Sequence, residues 1–242
     1  MTRTVVIDCF PECLPRYQDD QALVAVDVIR ASTTAVTAVS LGRRCLPAVS
    51  IEEAVAIARW LRNPLLVGEL GGSLPYGFDL QNSPAAVAAR RDLDRPMVLL
   101  STSGTRVMRG GHNGQPVYVA CFRNQAALAS HLARNHDRVV LVGAGARGEF
   151  REEDQLGCAR IAERLIEAGY RPLGDTASIV SRWKGVAEEA IRSGASADYL
   201  RRTGQERDLD FILEHIDDLQ AVVRLNGRRE LEPVKETVFA GG

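Results

Sequence analysis

Short apolar runs recur along this chain, and between them lie stretches whose apolar residues keep helical spacing. The runs at 5–7, 23–26, 45–49, 65–67, 97–100, 117–120 and 138–142 are too short for helices and are bounded by turn residues, which predicts strands. Helices are predicted over 35–41, stopped by Gly42, and over 51–61, where Ile51, Ala54, Val55, Ala58 and Leu61 share a face behind a Ser50 cap. Another starts at Ser83 and Pro84, a cap and a first-turn proline, and a short one follows Thr105. Longer ones span 124–135 and 152–168, the latter closed by Gly169. Short helical segments are predicted at 176–182, 186–192, 197–202 and 208–215. Asn226-Gly227, between the runs 219–225 and 230–234, signals a hairpin.

Strands alternating with helices predict an α/β fold, a mixed but largely parallel sheet flanked by helices, with the hairpin as its antiparallel part. The stretch Arg109-Gly110-Gly111-His112-Asn113-Gly114 reads as a flexible linker. It suggests a soft boundary between two α/β lobes, 1–110 and 111–242, with a site in the cleft between them; a single domain is the other option. Residues 10–20 read as a loop, and the tail from Lys235 as disordered.

Composition narrows the function. The 242 residues are 45% hydrophobic with a formal net charge of −1, so no general basic field attracts nucleic acid. No apolar run approaches the roughly 18–20 residues that span a bilayer, and residues 1–8 lack a signal-peptide pattern. The five cysteines, odd in number and scattered, fit reduced thiols and a cytoplasmic protein. His112, His131, His136 and His215 stand outside every motif, and His131 and His136 are expected to be solvated.

The chemistry concentrates in Asp27-Val28-Ile29-Arg30-Ala31-Ser32-Thr33-Thr34. A buried strand ends there in a carboxylate and an arginine, and three hydroxyls follow where a helix begins. A helix N-terminus offers unpaired N–H groups and partial positive charge, so with a guanidinium it suits a phosphate-like anion. Asp27 would repel that anion unless a divalent cation lay between them. The stretch therefore predicts a metal-assisted site for a small phosphorylated substrate. The alternative is a helix cap with a buried Asp27–Arg30 ion pair. Other strand ends carry Glu69, Asp79 with Asn82 and Ser83, the run Thr102-Ser103-Gly104-Thr105, and Gly143-Ala144-Gly145 ahead of Glu152, Glu153 and Asp154. Carboxylates, hydroxyls and Gly turns at successive strand ends suit Mg²⁺ held by oxygen ligands beside a phosphate.

Two other motifs compete. Gly143–Gly148 fits G-x-G-x-x-G after a strand, which would imply an NAD-binding oxidoreductase, but no helix opens directly after it and three acids follow. Cys158 and Arg164 have the spacing of cysteine phosphatases but lie in plain helix. A non-catalytic small-anion-binding protein is the competing functional class.

Taken in order, the motifs resemble the 2-phosphosulfolactate phosphatase (ComB) family. The resemblance rests on 26–34, Gly68-Glu69, Gly77-Phe78-Asp79 running to Asn82-Ser83-Pro84, Thr102 to Thr105, and Gly143 to Gly145 with Glu153-Asp154 and Cys158-Ala159. It covers about residues 24–160; Gly204 to Asp217 continue it weakly, with Ile212 where the family's D-x-x-x-C segment has cysteine, so little is expected of that segment. The resemblance implies a Mg²⁺-dependent acid phosphatase of coenzyme M biosynthesis, acting on 2-phospho-3-sulfolactate or related 2-hydroxy acid phosphates. On that basis Asp27, Glu69, Asp79 and Asp154 are expected to surround the metal, with Asp27, Arg30 and Asp79 catalytic. Ser32, Thr33, Thr34, Asn82, Ser83, Thr102, Ser103, Gly104, Thr105 and Arg147 would bind substrate, with Arg123 as a further cation. A homodimer is carried as an option, and no nucleic-acid or membrane partner is expected.

Overall fold

The computed structural model describes residues 2–17, 20–111, 114–146 and 148–235. Its strands are β1 (Thr4–Asp8), β2 (Ala22–Val26), β3 (Cys45–Ala48), β4 (Leu65–Gly68), β5 (Met97–Leu100), β6 (Val117–Ala120), β7 (Arg138–Gly143), β8 (Arg171–Leu173), β9 (Val223–Leu225) and β10 (Leu231–Pro233). They form one ten-stranded sheet in the order β4-β5-β3-β10-β9-β6-β2-β7-β1-β8. Pairings within β4-β5-β3 and within β6-β2-β7-β1-β8 are all parallel. The hairpin β9–β10 lies antiparallel between those blocks, β10 on β3 and β9 on β6. The fold is thus α/β with a mixed, largely parallel sheet flanked by helices. Strands from both sides of residue 110 share the sheet, β6 and β7 both pairing with β2.

Parallel strands covered on both faces read as continuous apolar runs, and Ala22-Leu23-Val24-Ala25-Val26 is buried at every position. One face of the five-stranded block packs on helices α5 (Gln125–Asn135), α6 (Glu152–Glu167), α7 (Thr176–Trp183), α8 (Ala195–Arg202) and α9 (Glu206–Glu214). The other face joins the three-stranded block in a shared core through α1 (Ala31–Ser40) and α4 (Gly104–Met108). Because it sits inside that core, α1 is buried from Ala31 to Val39 and shows little amphipathic character. The remaining helices are α2 (Ile51–Ala58), capped by Ser50 as expected, and the short α3 (Pro84–Ala88), capped by Ser83.

Sheet curvature brings the strand ends together. Four strands lie between β5 and β2 in the order, which in a flat sheet would put them about 24 Å apart. Yet a Cβ placed on Gly104, four residues past β5, would fall 2.1 Å from Asp27 Oδ2, just past β2.

Three features depart from the sequence expectation. Residues 11–16 form a 3₁₀ helix rather than open loop. β8 was not predicted; it is a three-residue edge strand containing Pro172, and an edge is where a sheet tolerates proline. His131 is buried rather than solvated, its Nε2 lying 3.1 Å from the Tyr118 hydroxyl. All five cysteines are free thiols. Among the described residues no helix is long and apolar enough to cross a membrane.

Candidate active site

The corner after β2 is held by its own backbone and hydroxyls. The Asp27 N–H donates to Ser32 Oγ (3.0 Å), the Ser32 N–H donates to the Asp27 carbonyl (2.9 Å), and the Ser32 hydroxyl donates to the Ala25 carbonyl (3.2 Å). The Thr33 hydroxyl donates to the Val28 carbonyl (2.7 Å). The Ile29–Arg30 peptide is cis. The helix opens at Ala31, earlier than expected, so Ser32, Thr33 and Thr34 fall inside its first turn and are fully buried. They do not line the cavity described below. Their hydroxyls shape the corner, and only Thr34 Oγ1 finds no partner.

A cavity of about 280 Å³ opens above the strand ends. It is lined by Asp27, Arg30, Glu69, Asn82 and residues 101–103, and by residues from the segment after β7 and from α8. The Asp27 carboxylate accepts the Ala31 N–H (3.0 Å) and packs against Gly104, where any Cβ would collide. Gly104 is therefore present for close approach rather than for binding. Glu69 braces two loops. It accepts the N–H of Thr102 (2.7 Å) and of Gly72 (2.6 Å) and the Thr102 hydroxyl (3.0 Å), while the Gly71 N–H reaches Thr102 Oγ1 (2.8 Å). The Thr105 hydroxyl turns inward, donating to the Ser101 carbonyl (2.9 Å) and accepting its N–H (3.1 Å).

The other expected site residues divide. Asn82 is buried and lines the cavity, its Oδ1 without a protein partner. Ser83 lies outside the cavity, where it caps α3 and donates to Asp208 Oδ1 (2.5 Å). Asp79 is also outside: its Oδ2 takes the Leu66 N–H (2.8 Å) and pairs with Arg95 (3.3 Å) at the sheet edge. Asp154 sits behind the cavity wall, closed by the N–H groups of Val28 (2.8 Å) and Gly145 (3.1 Å). Arg123 is engaged with Asp218 (2.7 Å) and Thr37 (2.9 Å). Arg147 lies outside the described residues.

Arg30 is not paired with Asp27, as the structural alternative supposed. Its Nη1 donates to Asp208 (2.5 Å) and Gln205 (2.6 Å), with Arg30 and Asp208 both buried. Burial pushes the Asp27 carboxyl up to about 7; Glu69 and Glu153 add to the rise, and the Ala31 N–H and Arg30 oppose it. Asp154 is raised well above the ordinary carboxylate range by burial, then by Asp27 and Glu153. Glu153 is also raised, chiefly by burial, and its Oε1 has no partner. Three acids thus crowd the base of the site.

Among the described residues no group of three or more His, Cys, Asp or Glu side chains is placed to hold a metal. The four-carboxylate cage expected from the motifs is therefore not what this fold builds, because Asp79 faces Arg95 and Asp154 is closed by backbone donors. Mg²⁺ commonly keeps its waters and uses one or two carboxylates plus the substrate's phosphate. Asp27, Glu69 and Asn82, which all line the cavity, are oxygen donors of the kind that smaller set uses.

The dinucleotide reading fails on geometry. Gly143 ends β7, Ala146 bridges to Glu149, and α6 opens only at Glu152. The Gly145 N–H already serves the Asp154 carboxylate, where a pyrophosphate would need it.

Several cavity residues were not anticipated. Tyr199 on α8 lines it and donates to the Gly72 carbonyl (2.5 Å), tying α8 to the loop after β4. Ser196, Arg151 and Arg202 also line it, and Asp208 anchors Arg30 from behind. Of these only Asp208 falls within 204–217, the segment that weakly continues the family pattern; Arg151, Ser196, Tyr199 and Arg202 carry no signal in the sequence.

Fold and cavity together define an α/β protein with a buried acid and an arginine at converging strand ends, in a cavity that α8 also lines. Its lineage is equally definite: the chain belongs to the 2-phosphosulpholactate phosphatase family, whose family model matches residues 9–228. It is 34% identical over 211 residues to a "probable 2-phosphosulfolactate phosphatase" of Deinococcus radiodurans, covering 85% of this chain and 86% of that one. Proteins of the same description from Synechococcus sp. (31% over 209 residues; 83% and 85% covered) and Thermotoga maritima (32% over 217 residues; 87% and 89% covered) are similarly related.

Proposed function

We propose that this protein is a Mg²⁺-dependent phosphatase converting 2-phospho-3-sulfolactate and water to 3-sulfolactate and phosphate, with related 2-hydroxy acid phosphates as further substrates. The observation that carries this reading is the meeting of Asp27, Arg30, Asn82 and the 101–103 loop in one cavity, from separate strand ends. The names of its relatives point to the same chemistry.

Phosphate monoester hydrolysis needs positioning and charge stabilisation more than covalent chemistry from the protein. Arg30 lines the cavity and would balance charge on the transferring phosphoryl group. The hydroxyls of Ser101 and Ser103 would orient the phosphoryl oxygens, the Thr102 donors being held by Glu69. Asp27, Glu69 and Asn82 would hold Mg²⁺, which when bound supplies a Lewis acid for those oxygens. Tyr199, with α8, would close the cavity against bulk water.

The test is phosphate release from 2-phospho-3-sulfolactate and 2-phospholactate, with Mg²⁺ and with chelator. Turnover that requires the cation is expected. A protein that gains thermal stability from the phosphorylated acid yet releases no phosphate is a binder, and the proposal then fails.

A further inference from the structure

We propose that Asp208, on α9 and outside the cavity, is a positioning residue that sets two parts of the site at once; this rests on the phosphatase reading above. Each of its carboxylate oxygens has a separate task. Oδ2 accepts from Arg30 Nη1 at 2.5 Å. Oδ1 accepts the Ser83 hydroxyl at 2.5 Å and the Ala85 N–H at 3.2 Å. Gln205, one turn earlier, adds a second acceptor on Arg30 Nη1 at 2.6 Å.

The consequence follows from what those partners are. Arg30 is the cavity's buried guanidinium, and Ser83 directly follows Asn82, a buried residue that lines the cavity. One carboxylate therefore orients the cation that faces the phosphoryl group and fixes the loop bearing the amide. Arg30 and Asp208 are both buried. Such a pair contributes little net stability against an apolar replacement, so its value lies in geometry. A planar guanidinium gripped at one nitrogen keeps its remaining N–H groups at a set angle, which matters most where charge develops in the transition state. The segment 204–217, of which the motif reading expected little, thus supplies the anchor of the site.

The experiment is a double-mutant cycle on full-length protein with Mg²⁺ and 2-phospho-3-sulfolactate, comparing D208N, R30A and the double variant. Acting through Arg30, D208N should lower kcat about 100-fold with KM changed about three-fold at most. In the R30A background it should lower kcat further by about two-fold or less. A merely structural residue would reduce kcat equally in both backgrounds, and that result overturns the proposal, as does an unchanged kcat. If D208N does not fold, D208E keeps the charge and displaces it by one methylene. It should fold and lose about ten-fold in kcat, and a folded D208E with wild-type kcat overturns the proposal. If the wild type releases no phosphate, it is the phosphatase reading that has failed. Calorimetric titration of inorganic phosphate then tests Asp208 on its own: D208N should weaken binding about ten-fold in the wild-type background and leave it unchanged with R30A, and equal loss in both overturns it.

Discussion

The two parallel blocks of the sheet are built to different depths. The five-stranded block is covered on its outer face by α5 to α9 in a large core running from Val5 to Val222. The outer face of the three-stranded block has only a satellite core, Ala48, Ala54, Val98 and Leu100 with Phe78, under α2. Surface residues follow suit: Trp60, just past α2, is 91% exposed, and Tyr76 is fully exposed. The acids of the site divide along the same line, while the thin block buries one guanidinium, Arg43, paired with Asp92. Asp27, Asp154, Glu153 and the Arg30–Asp208 pair are all buried and lie on the thick block or its helices. The thin block contributes Glu69 and Thr102, partly exposed, with Glu69 accepting the Thr102 and Gly72 N–H groups. Buried charge needs a rigid, well-packed surround to hold its partners in place. The deep block can hold acids out of water, and the shallow one supplies amide and hydroxyl donors that stay close to solvent.

The largest way to break this division is at Asp27. Replacing it with Asn should leave the fold intact and lower turnover about 10³-fold, as for loss of a positioned charged group, measured as phosphate release. Retained turnover would move the chemistry to the thin block. A second measure is pH. In metal-free protein burial lets Asp27 keep its proton up to about pH 7, against 3.8 for an ordinary aspartate. At this group the native state then holds its proton and the unfolded state does not between those values, so its contribution to stability is greatest below pH 4 and falls as pH rises to 7. The total is about 4 kcal/mol at most. Denaturant curves of wild type and D27N should converge at pH 4 and separate by pH 7, with the variant more stable.

Core truncation sharpens the contrast. Leu141→Ala, in the thick core, should cost near the upper end of about 2–5 kcal/mol, and Leu100→Ala, in the satellite, near the lower end. Equal losses by denaturant melt would erase the distinction. Gly104→Ala tests the junction of the blocks: its methyl meets Asp27 Oδ2 and the Ala31 Cβ at 2.7 Å. It should cost about 1–3 kcal/mol and depress turnover together with stability. Trp60→Ala should change stability by less than about 0.5 kcal/mol.

The strand–helix alternation was legible because each buried parallel strand is an apolar run, and the corner at Asp27 stood out because charge rarely ends such a run. Asp27, Arg30, Glu69, Asn82, Thr102 and Ser103 do line one cavity. Ser32, Thr33 and Thr105 lie off the cavity and bond to backbone, because a hydroxyl near a helix start serves a ligand or its own backbone with the same residue type. Asp79 was misread because sequence cannot say which side of a loop faces the sheet edge. Asp208 is the D of the weakly matched D-x-x-x-C segment, but its role stayed hidden, since nothing local shows a partner 178 positions away.

The hairpin β9–β10 carries a consequence for the life of the chain. It emerges from the ribosome after every other strand of this sheet, yet it is the piece inserted between β3 and β6. Until then both strands present bare main-chain borders, the kind that recruit strangers into unwanted sheets. Nascent protein is accordingly most vulnerable to self-association in the interval before those last residues arrive.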